Sequence, residues 1–224
     1  MDPDSELERG RTCLPELLDT LPHDHPEALH SRRDLRLVNR FMGNPGWFGR
    51  TLPRLVRPGE RILELGAGTG ELSRKLHQLR LAADGLDLCP EPAPWPRERS
   101  WHQEDLKTFE GYRDYPVVIG NLIFHQFTDG ELADLGAHLS ACARVVVASE
   151  PTRRRLSQRM MRAVAPLFGA NRVTLHDAHV SIAAGFLGDE LPRALGLLPE
   201  HWDTTCTTTV TGAYRMVAVR RDRG

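Results

Sequence analysis

The chain has 224 residues, of which 26% are charged and 40% are hydrophobic, and its formal net charge is -1. This length fits one domain with a sizeable core, and the near-zero charge excludes a general electrostatic attraction to nucleic acid or to an anionic membrane. No apolar run approaches the ~18 residues of a membrane span and no basic-then-apolar leader follows Met1, so the sequence predicts a soluble, cytoplasmic protein. The four cysteines are scattered without a C-x-x-C pair, which argues against a zinc site or a disulfide framework.

The first 57 residues precede the alternating strand and helix pattern, and they predict two helices. Residues 14–18 contain three leucines typical of a short helix, and residues 30–41 carry a second apolar pattern. Residues 43–46, which read GNPG, predict an interruption of the helical structure before Trp47 and Phe48. The segment either covers a binding site or packs on the sheet as an appendage, and the sequence leaves both readings open.

The most informative segment is residues 61–73, which read RILELGAGTGELS. Residues 62–65 are apolar enough for a parallel strand that is buried on both faces. Residues 66–70 then form a turn with almost no side chains, and the leucines of residues 71–79 recur at helical spacing. A strand, a glycine turn and a helix are typical of the first half of a mononucleotide-binding unit.

Three carboxylates accompany this turn. The glycines fall as G-x-G-x-G without a lysine, which distinguishes the turn from dinucleotide and NTP-binding loops, and Glu64 before it favours a cationic ligand. Asp87 closes the second predicted strand, where a mononucleotide-binding fold needs an acceptor for ribose hydroxyls. Asp84 precedes Gly85 and is predicted to lie in the turn before that strand, and Asp105 follows the third strand.

The sequence ELGAGTG at residues 64–70 resembles motif I of the class I methyltransferases, which use S-adenosylmethionine (SAM). The resemblance covers residues 58–220 and implies an α/β, Rossmann-like fold with a seven-stranded, mostly parallel sheet. An antiparallel strand would lie at the C-terminus, helices would cover both faces, and an N-terminal helical segment would be added. The fourth strand is then predicted to end at Asn121, and residues 203–211 and 213–219 form the closing antiparallel pair.

The same resemblance divides the chain into two parts. Residues 1–57 would form a helical cap or lid, and residues 58–224 would form the SAM-binding core, with a substrate-pocket insertion at residues 151–199. A capping box, T-x-x-E at residues 128–131, predicts the helix after the fourth strand. Residues 90–96 contain four prolines where the family has its second helix, so that helix is predicted to be shortened or displaced.

The cofactor residues follow from the resemblance. The expected cofactor is SAM, its product is S-adenosylhomocysteine (SAH), and no metal is expected. Asp87 would accept hydrogen bonds from the ribose, Asp105 would accept one from the adenine amine, and Arg40 would reach the methionine carboxylate. The full expected set is Glu64, Gly66, Ala67, Gly68, Gly70, Asp87, Leu88, Asp105, Leu106, Asn121 and Arg40.

The residues after the fourth strand bear on the acceptor. Base-modifying enzymes of this class place an Asn/Asp-Pro-Pro-aromatic sequence here, whereas Asn121 is followed by Leu-Ile-Phe, so an apolar small molecule is expected. The stretch is similar to bacterial small-molecule methyltransferases of the quinone-biosynthesis and polyketide-associated types. The substrate-pocket candidates are Trp47, Phe48, Phe124 and His179.

Two positions are candidates for a general base that would deprotonate a hydroxyl acceptor. His125 follows the fourth strand, although a histidine there also fits simple packing under the next helix. His176 precedes Asp177, which could orient it, although adjacent residues point apart unless the backbone turns.

The leading hypothesis is therefore an O-methyltransferase that acts on a small, largely apolar acceptor, as a monomer or a homodimer. The alternatives are an RNA or protein methyltransferase and a SAM-binding protein that transfers no methyl group. Five arginines between residues 153 and 162 suit nucleic acid, but we interpret them as the solvated face of a helix, and neither nucleic acid nor membrane is expected as a partner.

Overall fold

A computed structural model describes residues 10–22, 25–164 and 169–222. The strands are β1 (Ile62–Leu65), β2 (Ala83–Asp87), β3 (Trp101–Gln103), β4 (Val117–Asn121), β5 (Val145–Pro151), β6 (Trp202–Thr208) and β7 (Ala213–Arg220). The helices are α1 (Leu17–Thr20), α2 (Pro26–Phe41), α3 (Asn44–Thr51), α4 (Glu71–Gln78), α5 (Asp129–Cys142), α6 (Arg155–Val164), α7 (Arg172–Ala183) and α8 (Glu190–Ala194). None of the helices described is long and apolar enough to cross a membrane.

The seven strands form one sheet in the order β3-β2-β1-β4-β5-β7-β6. The first five in this order are mutually parallel, and β7 pairs antiparallel with both β5 and β6. The Rossmann-like fold class predicted from the sequence is therefore confirmed, including the antiparallel strand near the C-terminus. The carboxyl ends of β1, β2 and β4 lie side by side, which brings the residues that follow these strands to one edge of the sheet.

The central strands are buried on both faces because helices pack on each side. Alternate residues of β4 join different apolar clusters: Val118 packs with Leu132 of α5, whereas Val117 and Ile119 pack with Leu76 of α4. The capping box that opens α5 is present, with reciprocal bonds between Thr128 and Glu131.

The N-terminal segment differs from the expectation in one element. A helix, α3, replaces the break predicted before Trp47, because Pro45 lies in its first turn, where proline is tolerated. This helix places Phe48, which has no exposed surface, among Ile62 and Leu72 beneath the sheet. Phe48 is thus a core residue, and its assignment to the substrate pocket was wrong.

Two expectations about the segment from β2 to β3 also need correction. Asp84 lies inside β2 and is fully buried, because Arg61 and Tyr115 both donate hydrogen bonds to its carboxylate. Residues 88–100 contain no helix at all, since the prolines hold an irregular chain. Within that segment Trp95 makes an edge contact with Trp101, with ring centroids 4.9 Å apart.

The insertion after β5 consists of α6, α7 and α8. The spacing of Leu156, Met160, Val164 and Leu167 predicts an amphipathic helix in this region, and α6 confirms a helix up to Val164, whereas Leu167 lies outside the described residues. Met160 lines the cavity together with Ser157 and Met161, but Leu156 is 61% exposed.

Candidate functional site

The glycine turn after β1 forms the floor of the site. Gly66 and Gly68 adopt positive φ angles of 60° and 55°, a region that L side chains rarely occupy. A Cβ atom on Gly66 would lie 2.5 Å from Cδ1 of Ile123, whereas one on Gly68 would meet no atom within 4 Å. The backbone at Gly68 therefore faces open space, which leaves room for a ligand to approach closely.

A cavity of about 770 Å³ opens at this edge of the sheet. Its floor comprises the turn and the residues that follow β2, β3 and β4, and its roof comprises residues of α1, α2, α6 and α7. The sequence-predicted cofactor residues that line it are Glu64, Gly66, Ala67, Gly68, Asp87, Leu88, Asp105, Leu106 and Asn121. These positions are far apart in the sequence, and the parallel strands bring them together.

Asp87 lies between the turn and the next loop. One carboxylate oxygen accepts a hydrogen bond from the Gly68 N–H at 2.7 Å, and the other accepts one from the Cys89 N–H at 2.8 Å. Asp105 accepts one from the Lys107 N–H at 2.9 Å. Each carboxylate oxygen has a second lone-pair site, so both side chains keep acceptor capacity for a ligand in the cavity.

Glu64 provides a buried carboxyl group at the end of β1. It is 3% exposed, and the Ser73 hydroxyl donates to its Oε2 at 2.5 Å. Burial, which outweighs that hydrogen bond, raises the pKa of Glu64 to about 7. A cation in the cavity would favour the ionised form of this group, so binding of a cationic ligand is coupled to loss of its proton.

The loop after β4 provides the cavity wall beside the turn. The Asn121 Oδ1 accepts a hydrogen bond from the Asn44 side chain at 3.2 Å. Leu122 has a φ of 62°, an unfavourable conformation for a side chain of this size, and Glu150 binds the backbone that follows. Strain of this kind is typical of functional sites whose surroundings hold the backbone in place.

His125 lines the cavity but does not have the electrostatics of a base. Its Nδ1 lies 2.5 Å from the Glu150 carboxylate, and its Nε2 lies 3.4 Å from Glu16. Burial alone would lower the pKa of His125, but the two carboxylates outweigh it and raise that pKa to about 9. The imidazole is therefore protonated at neutral pH, and the hypothesis that His125 accepts a proton there is not supported.

The two residues of the second base candidate, His176 and Asp177, differ in their position relative to the cavity. His176 and Asp177 are in contact, with 3.1 Å between Nδ1 and Oδ1, but His176 and His179 are exposed and lie outside the cavity wall. Asp177 lines the cavity, where its carboxylate accepts hydrogen bonds from the Leu17 and Leu18 N–H groups. Asp177 thus anchors α1, and the two histidines are not placed to contact an acceptor in this cavity.

Four further candidates lie outside the cavity wall. Arg40 is exposed on α2, with its guanidinium 3.7 Å from the Glu71 carboxylate. Gly70 is covered by Trp95, Phe124 is fully buried in the apolar core, and Trp47 packs beneath the sheet.

The polar residues of the roof were not predicted from the sequence. Glu16 is 8% exposed, lines the cavity, and accepts a hydrogen bond from the Ser181 hydroxyl. No periodic pattern or motif marks either position, so the only available signal was a carboxylate beside the first leucines of the chain. Within residues 10–22, 25–164 and 169–222, no cluster of His, Cys, Asp and Glu could hold a metal ion.

We compared the chain with known protein families, proteins and solved structures. No protein-family model matches the chain. A malonyl-[acyl-carrier protein] O-methyltransferase of Anoxybacillus flavithermus is 31% identical over 85 residues. That match covers 34% of this chain and 33% of the relative, so the chain matches about a third of that protein's length.

Solved structures match nearly the whole chain. The plantazolicin methyltransferase BpumL, in complex with a triazolic desmethylPZN analogue and SAH, matches with a TM-score of 0.68 and 12% identity, over 92% of this chain and 93% of that one. This chain has the class I methyltransferase fold. The magnesium protoporphyrin IX methyltransferase of Synechocystis PCC 6803 with bound SAH also has it, with a TM-score of 0.54, 18% identity, and 85% and 87% coverage. The methyltransferase fold that the sequence predicted is confirmed.

Alanine substitutions at two glycines of the turn should distinguish the glycine that is needed for packing from the glycine that leaves space for a ligand. Gly66→Ala is expected to lower the free energy of unfolding by about 2 kcal/mol, because the methyl group overlaps Ile123 and the backbone is left-handed. Gly68→Ala adds the same backbone strain without an overlap, so about 1 kcal/mol is expected, together with weaker ligand binding. Urea unfolding without ligand measures the loss of stability in each variant. Equal unfolding midpoints for the two variants would contradict the assignment of Gly66 to a packing contact with Ile123 and of Gly68 to open space.

Proposed function

We propose that this protein is a SAM-dependent methyltransferase that transfers a methyl group to a hydroxyl of a small, largely apolar acceptor. The observation that carries the proposal is one continuous cavity that joins the carboxylate-lined edge of the sheet to an apolar chamber beneath α1, α2, α6 and α7. Two ligands of different character, a polar nucleoside and an apolar acceptor, would thus meet within one enclosure.

The sheet side of the cavity suits the donor. Asp87 and Asp105 offer acceptor oxygens for the ribose and the adenine amine, and the Gly68 backbone leaves space beside them. Glu64 places a carboxyl group at the end of β1, where the positive charges of the methionine portion would favour its ionised form. The structures of BpumL and of the magnesium protoporphyrin IX methyltransferase were determined with SAH, which supports the same ligand class here.

The roof side of the cavity suits an apolar acceptor. Its lining side chains include Leu18, Leu21, Met160, Met161 and Ile182. Flexible methionines adapt to irregular apolar shapes, which favours a hydrocarbon-rich or aromatic compound over a polar one. We also propose that the part of the N-terminal segment that forms α1 and α2 acts as a lid, since both helices contribute to this lining, whereas α3 packs in the core.

Catalysis in this proposal depends on alignment and on exclusion of water. Methyl transfer from a sulfonium is an in-line displacement in which the positive charge on sulfur is neutralised. Enclosure by the roof helices removes solvent from that reaction, and binding of both ligands in one cavity supplies proximity. The hydroxyl proton would pass to water before the acceptor is enclosed, because the carboxylates on both sides of His125 keep its imidazole in the protonated form, and His125 holds part of the cavity wall.

Calorimetric titration of the purified protein with SAM and SAH tests the donor site. Micromolar binding of both is expected. A transfer assay with tritium-labelled SAM then tests the acceptor, with hydroxylated aromatic compounds set against matched amines, RNA and protein. Labelling of the hydroxylated compounds supports O-methylation, labelling of the amines or macromolecules overturns that assignment, and absence of SAM binding overturns the proposed function.

A further inference from the structure

A buried chain of three ionisable side chains joins β5, the loop after β4 and the N-terminal segment. Glu150 at the end of β5 is 0% exposed, His125 of the loop is 4% exposed, and Glu16 before α1 is 8% exposed. The imidazole lies between the two carboxylates, 2.5 Å from Glu150 and 3.4 Å from Glu16. The three residues come from distant parts of the sequence, so only the folded chain brings them together.

Glu150 fixes the loop and sets the orientation of the imidazole. Its carboxylate accepts backbone hydrogen bonds from Ile123 and Phe124, each at 3.0 Å, and from His125 at 3.2 Å. Its fourth contact is with Nδ1 of the His125 ring. Nδ1 therefore donates to Glu150, and the proton on Nε2 of the imidazolium points at Glu16.

Glu16 belongs to a short segment that is attached to the protein by polar contacts. It accepts hydrogen bonds from His125 and from the Ser181 hydroxyl. The N–H groups of the next two residues donate to the Asp177 carboxylate, at 2.7 Å and 3.0 Å. Glu16, Ser181 and Asp177 all line the cavity, so these contacts also close its roof.

The charges around His125 make the contact with Glu16 depend on the imidazole proton. Arg11, which precedes Glu16 in the chain, donates hydrogen bonds from its guanidinium to the carbonyls of His125 and Phe127 and forms an ion pair with Asp129. The Cys13 thiol lies 3.8 Å from the His125 carbonyl oxygen. Asp177 adds a further carboxylate on the side of α7. If His125 loses its Nε2 proton, a lone pair faces the Glu16 carboxylate and the attraction is replaced by repulsion.

We propose that Glu150 is a positioning residue that acts through His125 to hold Glu16 and residues 10–20 in place, so that the acceptor side of the cavity is complete only while this segment is docked. The docking follows from the contacts of these residues alone. Its consequence for methyl transfer depends on the proposed function.

The sign of the pH dependence follows from the imidazole. The pKa of His125 is raised from its ordinary value of 6.5 to about 9, so its stabilising charge is fully present below pH 6.5 and is lost as the pH rises through about 9. Burial opposes ionisation of Glu16, but the hydrogen bond and charge of His125 lower its pKa, so Glu16 is charged throughout this range.

Hydrogen exchange of residues 10–21 tests the docking without any assay of activity. Glu16→Gln and Glu150→Gln are expected to speed exchange in this segment about tenfold at pH 7, because each removes a charge-assisted contact. In the unaltered protein, exchange corrected for its intrinsic rate should rise further above pH 9, and Glu16→Gln should abolish that rise. Glu60→Gln, which breaks an ion pair with Arg144 at 2.5 Å, is the matched control and should leave the segment unchanged.

Three outcomes are distinguishable. Unchanged exchange in either Glu16→Gln or Glu150→Gln overturns the proposal, and if Glu150→Gln fails to fold, the rise above pH 9 and its loss in Glu16→Gln decide whether the imidazole holds the segment. With an acceptor identified, Glu16→Gln should raise the acceptor KM several-fold while the SAH Kd stays within twofold, which a general loss of structure would not produce. If the unaltered protein binds no SAM, the proposed function fails, while the exchange experiment still decides the docking.

Discussion

Asp87→Ala is expected to raise the Kd of SAM and of SAH about 100-fold or more. In the proposed donor site this carboxylate would accept hydrogen bonds from two ribose hydroxyls, and two hydrogen bonds to a charged group together contribute about 3 kcal/mol or more. The substitution also removes the acceptor of the Gly68 and Cys89 N–H groups, which frees the glycine turn and the loop after β2. Calorimetric titration at one ionic strength measures both constants.

The matched control for this titration is Asp203→Ala. Asp203 is an exposed residue of the edge strand β6, paired with Arg221 at 2.7 Å, at the far end of the sheet order from β2. Its substitution should leave both Kd values within twofold. Equal binding by Asp87→Ala and the unaltered protein would show that the ribose site is misassigned, even if the protein binds SAM.

Asp84→Asn is expected to lower the free energy of unfolding by about 3–4 kcal/mol, and the Tm by roughly 10 °C. The buried carboxylate accepts hydrogen bonds from Arg61, from the Tyr115 hydroxyl and from the Ser100 N–H. An asparagine of the same shape would set an NH₂ group against some of these donors and would leave the guanidinium without its counter-charge. Urea unfolding monitored by circular dichroism measures the change.

Asp203→Asn again supplies the control, since it alters an aspartate–arginine pair of similar length at an exposed site. Exposed pairs contribute about 0–1 kcal/mol because water screens them and the side chains lose entropy. Asp84→Asn should therefore be clearly less stable than Asp203→Asn. Similar unfolding midpoints would mean that the Asp84 cluster contributes little and that Arg61 finds other partners.

Local patterns predicted the sheet and the glycine turn because they depend on neighbouring residues. Residues 62–65 are apolar and precede a run of glycines, so a buried strand and a turn follow directly from composition and spacing. The ends of β2 and β4, at Asp87 and Asn121, were predicted for the same reason. Parallel strands then place such residues at one edge, so the floor of the cavity was predictable as well.

Contacts between segments that are distant in the sequence decided which of the remaining residues are buried and which line the cavity. Asp84 was assigned to a turn because glycine follows it, yet Arg61 and Tyr115 satisfy its charge inside a strand. Phe48 was assigned to the substrate pocket, yet α3 places it in the core. Propensity describes the residue, whereas burial depends on what packs against it.

The amino-acid sequence by itself determined the strand, the glycine turn and the helix at residues 62–79, because periodicity and glycine spacing are local properties, and the class of fold followed from the family resemblance that this turn carries. Only the tertiary structure decided the state of His125 and the composition of the roof. A pKa depends on the charges within a few ångströms, and Glu16 and Glu150, which lie 109 and 25 residues from His125 along the chain, meet it only after folding. The imidazole that the sequence offered as a base is therefore held as a cation between two carboxylates.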